Sequence, residues 1–170
     1  MNQKQVIQSQ YRSALAIMRQ TIEKCPDTMW NDTQRKNRFW HIAYHALFYT
    51  HLYAQPSEAT FTPWSEHRNE YQFMGPTPWP PHNEPDIGEP YTKEEVLAYL
   101  DFCWGQIPTW VGQVDLEGPS GFEWLPFNKL ELQLYSLRHL MMHVGELAGR
   151  LGDQEGIDVD WVGMDHDGLE

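Results

Sequence analysis

Residues 128–151 read NKLELQLYSLRHLMMHVGELAGRL, and this stretch decides the fold. Leu132, Ser136, His139, His143 and Leu147 recur at steps of three and four, which places them on one face of a helix. Pro126 lies just ahead, Asn128 suits the N-cap and Gly152 suits the residue after the last turn, so a helix is expected over about 128–152. Two imidazoles one turn apart therefore interrupt an apolar stripe that should face a core. Buried imidazole nitrogens need partners. Two stacked rings crowd each other unless something sits between them, and a divalent metal is the economical answer.

Three more helices lie upstream. In the first, about 2–24, Val6, Ala14, Ile17, Met18 and Ile22 follow helical spacing, Tyr11 more loosely, and Pro26 closes the segment. The second, about 31–54, carries Asn31 and Gln34 at capping-box spacing, ends at Pro56, and is apolar nearly all round, which predicts burial on several sides. The third opens at Thr92, with Glu95 completing a capping box and Tyr91 and Val96 at the staple positions. Val96, Leu97, Leu100, Cys103, Trp104 and Ile107 form its core face, and Pro108 is expected to end or kink it. Between the second and third helices, residues 55–90 hold eight of the twelve prolines together with Phe61, Trp64, Tyr71, Phe73 and Trp79. A connection of that length with that many aromatics is expected to pack against the body. The expectation is an all-α chain: a four-helix bundle with a long crossover connection between helices two and three, spanning 1–152, followed by an acidic extension, 153–170.

The chain has 170 residues, 41% apolar and 14% aromatic, which suits one domain and argues against disorder. Its net charge of −12 argues against a nucleic-acid partner, since phosphate binding needs basic surface. The charge is uneven: residues 1–38 carry seven Lys/Arg against three Asp/Glu, read as a solvated basic helix face. The last eighteen residues carry seven acids and no Lys or Arg, and read as an exposed terminal segment that Trp161 and Val162 can pin down. Cys25 and Cys103 lack metal or redox spacing and are expected to be free and structural. No signal-peptide pattern and no apolar run of membrane-spanning length is visible, so a cytoplasmic location without a membrane partner is expected.

Helix two offers a second pair at i, i+4 spacing, His41 and His45, while His51 falls on another side of that helix. Histidines from two helices can meet across a bundle core. Three imidazoles with an open position make a catalytic zinc site; nickel, iron and copper also accept imidazole. Neighbours of His45 one turn away are His41, Ile42, Phe48 and Tyr49, an apolar setting that favours His45 as the ligand. His41 has Asn37, Arg38 and Gln34 on its side, which places it nearer solvent at the mouth of the site, as a candidate proton shuttle. The metalloprotease pattern H-E-x-x-H is excluded by Ile42 and Leu140, and the di-iron pattern E-x-x-H by Arg38, Ile42, Ser136 and Leu140. No nucleophile elbow, Walker loop or dinucleotide fingerprint is present, and Gly-Pro-Ser-Gly at 118–121 reads as a turn.

The run Arg138-His139-Leu-Met-Met-His143-Val-Gly145-Glu146-Leu147 resembles the fourth-helix signature of the DinB-like superfamily, which includes YfiT-type proteins and thiol-dependent transferases. Phe39-Trp40-His41-Ile-Ala-Tyr-His45 resembles its second-helix histidine region, and Pro90-Tyr91-Thr92-Lys93-Glu94-Glu95 its third-helix start. The resemblance reaches to about Gly152. It implies a four-helix bundle, a homodimer, and one divalent metal ion held by one histidine of helix two and two of helix four. Carried over, the ligands are His45, His139 and His143, with zinc or nickel as the leading ions. It further implies a small-molecule substrate, possible thiols being bacillithiol, mycothiol or glutathione.

Two functions follow. The first is a metal-dependent enzyme, a thiol S-transferase or a hydrolase, in which the metal lowers the pKa of a bound thiol or water. The second is a metal-binding or stress-response protein without turnover, favoured if His41 closes the site as a fourth ligand. Glu146 is near the histidine face but reads as a surface residue.

Overall fold

Asn2 opens the first helix, α1 (Gln3–Lys24): its side chain accepts the Gln5 N–H, and the Gln5 side chain accepts the Asn2 N–H. The structure is a computed structural model that describes residues 2–164. Tyr11, Leu15, Met18 and Ile22 of α1 are fully buried, the apolar face the spacing indicates. Pro26 then starts a single turn, α2 (Asp27–Trp30).

Residues 31–38, expected to be helical, form turns instead, and α3 runs over Phe39–Ala54. Asp32 Oδ1 accepts the Gln34 N–H at 2.9 Å, and Asn31 Oδ1 accepts from Arg38 Nη1 and Trp40 Nε1, both at 3.1 Å. The short polar side chains that can cap a helix also hold turns, and here they do the latter. Nearly every α3 residue is buried, because α3 packs against both α4 (Lys93–Gln113) and α5 (Lys129–Glu155) while the long connection covers a further side. The remaining contacts close the ring: α1 packs against α4 and α5. Among the described residues there is no strand, and no helix is long and apolar enough to cross a membrane.

α4 begins as read, with the Thr92–Glu95 capping box. Pro108 does not end it. The missing N–H and ring clash cost roughly 3 kcal/mol, but Ile107, Trp110 and Val111 are buried, and each such side chain contributes about 1.5–3 kcal/mol. Burial wins, and the helix continues to Gln113. α5 likewise runs past Gly152, ending at Gly156, whose φ of 65° supplies the left-handed cap.

The connection from Gln55 to Thr92 has no regular structure apart from a short 3₁₀ turn, and it packs only in part. Tyr71 is buried and Phe61 and Trp64 lie against the core, whereas residues 78–84 are exposed and Trp79, expected to pack, is 54% exposed. Trp64 stacks on Tyr99 of α4 (4.7 Å, 14°), and Arg68 lies over Tyr91 (4.1 Å) while pairing with Glu95 at 2.9 Å. The backbone at 71–72 runs beside α3, where it meets two of the histidines. Cys25 and Cys103 are both free and buried, as expected. The acidic extension is held to α1 by Lys24 Nζ on the Asp158 carbonyl (2.8 Å) and by the Asp160 N–H on Gln20 Oε1 (3.1 Å). Val162 packs against the body, whereas Trp161 is exposed. The rest of that extension, 165–170, lies outside the described residues.

Candidate metal centre

α3 and α5 pack side by side, and their facing columns bring three histidines together. His45, His139 and His143 each offer one ring nitrogen, and these nitrogens lie within 4.8 Å of one another. His45 Nε2 and His139 Nε2 are 3.1 Å apart. The His45 and His143 rings meet edge to face at 4.9 Å, as do those of His139 and His143 at 4.7 Å.

Protonation follows from the partners. His45 Nδ1 donates to the Gln72 carbonyl at 2.6 Å, which puts its only proton there and leaves the Nε2 lone pair facing His139. His143 Nδ1 is 3.2 Å from Glu146 Oε2. Glu146 is in turn held by Arg150 at 2.6 Å, and Arg150 also donates to the Asn37 carbonyl at 2.8 Å. A carbonyl or carboxylate behind an imidazole fixes its tautomer and aims the other nitrogen, the usual support of a metal ligand.

Burial keeps the cluster neutral. Desolvation pushes His45 down to about 3, and the neighbouring His139, His143 and His41 add to it. Desolvation, with His143 adding, pushes His139 down to about 4. His143 is lowered by burial, which Glu146 opposes. Neutral imidazole is the form that binds metal.

These residues fit a divalent ion. Three neutral nitrogens converge, and one buried atom there, His139 Nδ1, has no hydrogen-bond partner within the protein. Two lone-pair nitrogens at 3.1 Å repel unless a proton or a cation lies between them. The residues that the resemblance implies as ligands are therefore the ones that meet.

His41 is placed differently from the expectation. It stays outside the trio, and it is buried, more so than the half-buried His45. Its Nε2 donates to the Tyr71 carbonyl at 2.9 Å and its ring stacks on Trp40 (4.9 Å, 21°). Asn37 and Arg38 border a surface cavity together with His41, but the 71–73 segment covers most of the ring and leaves the residue 7% exposed. Glu146 is exposed, as read, and its carboxylate also reaches His143 Nδ1. Its signal was present: three residues beyond a histidine is one helical turn.

No family model, no curated protein and no solved structure matches the chain.

Proposed function

We propose that the chain is a DinB-like four-helix bundle that works as a metal-dependent enzyme, a thiol S-transferase or a hydrolase. It would hold one divalent ion, zinc or nickel, through His45, His139 and His143. The observation that carries this reading is the convergence of those three imidazoles, two of them backed by the Gln72 carbonyl and by Glu146. A bound divalent ion would supply a Lewis-acid centre that lowers the pKa of a thiol or water.

The chain's own residues do the rest. Gln72 and Glu146 hold two of the rings in place. The three imidazoles bring no charge, so the positive charge of the centre is left for an anionic small molecule, a thiolate before a hydroxide. His41 lies outside the group of three converging histidines, which argues against a closed four-histidine site and so against a purely structural ion. The same reading includes a homodimer, on the strength of the resemblance, and a cytoplasmic location, on the strength of the sequence pattern.

The gently purified protein is expected to carry about one zinc or nickel per chain, with affinity falling below about pH 6 as the ligands protonate. His45→Ala, His139→Ala and His143→Ala should each lose the ion while circular dichroism retains the helices. His41→Ala should keep it. Metal content near zero that does not rise on adding zinc or nickel overturns the metal site. A loaded protein that shows no metal-dependent rate with bacillithiol, glutathione or cysteine and a model electrophile, and none in hydrolase assays, overturns the enzyme reading alone.

A further inference from the structure

His51 lies on α3 about 120° round the helix from His45 and takes no part in the histidine cluster. It is only 2% exposed. Its Nδ1 is 3.0 Å from Tyr99 Oη. Tyr99 is wholly buried, and its hydroxyl has no second partner among the described residues. The hydroxyl proton therefore points at the ring: Tyr99 donates, His51 Nδ1 accepts, and the ring proton of His51 sits on Nε2. No group among the described residues accepts that proton. Nε2 is nevertheless not sealed from solvent, and at so buried a residue the way out is the cleft that His51 lines.

That cleft has a volume of about 380 Å³. Its walls are aromatic and hold one another in place. Trp110 stacks flat on His51 (4.5 Å, 12°), and Phe102 stands edge-on to His51 (5.3 Å, 72°) and to Trp110 (5.6 Å, 65°). Trp64 is fixed by its stack on Tyr99 (4.7 Å, 14°). Thr62 stands on the exposed rim. The buried Gln55 is a second polar residue of the lining, and Thr60 and Ser65 join Thr62 at the exposed edge. A concave pocket walled largely by aromatic rings with a few polar groups is the usual form of a small-molecule site, and walls already ordered spare a ligand the cost of ordering them.

We propose that this cleft binds a small planar aromatic molecule carrying a hydrogen-bond acceptor, a nitrogen heterocycle or an aromatic carbonyl compound, with the acceptor on His51 Nε2–H. The aromatic walls select a flat apolar ring. The His51 donor favours a ligand that places an acceptor against it. The site is separate from the histidine cluster and needs no metal.

Quinoline and naphthalene are matched probes, of nearly one shape, differing in a ring nitrogen. In nitrogen-15 spectra of the full chain, quinoline should shift the indole N–H signals of Trp64 and Trp110 saturably. Naphthalene should bind about tenfold more weakly, the worth of one hydrogen bond to a site that otherwise leaves its donor unpaired. His51→Phe keeps the stack on Trp110 and should erase the difference. Thr62→Trp, at an exposed position, should fill the rim and weaken both probes. Equal affinities, shifts confined to other tryptophans, or a preference for quinoline that survives His51→Phe would each overturn the proposal. If His51→Phe fails to fold, the ratio of the two probes on the unaltered protein and the Thr62→Trp result still decide.

Discussion

Glu146 is a surface carboxylate by sequence and by structure, and it also braces a buried ring. One oxygen faces His143 Nδ1 and the other takes Arg150, so the imidazole is held from behind by an anchored group. Supports of this kind are worth about 10–100-fold in metal affinity. Glu146→Ala is expected to weaken zinc binding within that range while leaving one site per chain, measured by competition with a chromophoric chelator. An unchanged affinity would make the contact incidental. At this scale the pairs His139/His143 and His41/His45 were legible, because a helical turn turns sequence spacing into position. The depth of His41 was not. Its cover comes from residues 71–73, in a segment with no period to read; the polar neighbours Asn37 and Arg38 do border a cavity with His41, but they could not show how much of the ring that segment covers.

Among the elements, the pair α3 and α5 is joined at one end by a buried lysine. Lys129, the first residue of α5, donates to the carbonyls of Gln55, Pro56 and Ser120, the first two at 3.0 and 2.9 Å. It therefore satisfies the carbonyl of Gln55, the C-cap of α3, and that of Pro56 just beyond it. Gly121, with φ of 84°, lets the 118–121 turn lie against Pro56 and Ser57, where a Cβ would collide with backbone. Burial pushes Lys129 down to about 8. Lys129→Met keeps the stem but leaves three carbonyls without their donor, and is expected to cost about 2–4 kcal/mol in urea unfolding. A loss under 0.5 kcal/mol would mean that water replaces the ammonium. None of this was legible, since a lone Lys after an N-cap reads as solvated. The helices themselves were legible where the apolar face was long. Their ends were less so: Asn31 and Gln34 matched a cap but made a turn, and Pro108 matched a stop but lay between buried neighbours.

The whole molecule holds several histidines as neutral, buried groups, and this sets its acid stability. Desolvation lowers His45 to about 3 and His51 and His139 to about 4, against about 6.5 in an unfolded chain. Above pH 6.5 neither state binds these protons. Between 6.5 and 4 the unfolded chain takes them up and the folded chain does not, so stability falls as pH falls, by up to about 1.4 kcal/mol per pH unit for each histidine. The metal-free protein should therefore show a lower urea midpoint at pH 5 than at pH 7.5, and His51→Phe should reduce the difference. A flat profile would mean that the rings are hydrated. The histidine contact has another consequence, in time. His45 and His139 are 94 residues apart in sequence, so no stretch of chain short of α5 contains a site. While the polypeptide is being made, His45 can already meet Gln72, but its lone pair then faces no second imidazole. Capture of the proposed ion would come after the last helix has docked, and from that moment the ion would reward only chains that have closed this long loop. At a free concentration one hundred times Kd it would add about 2.7 kcal/mol to them and nothing to the unfinished ones.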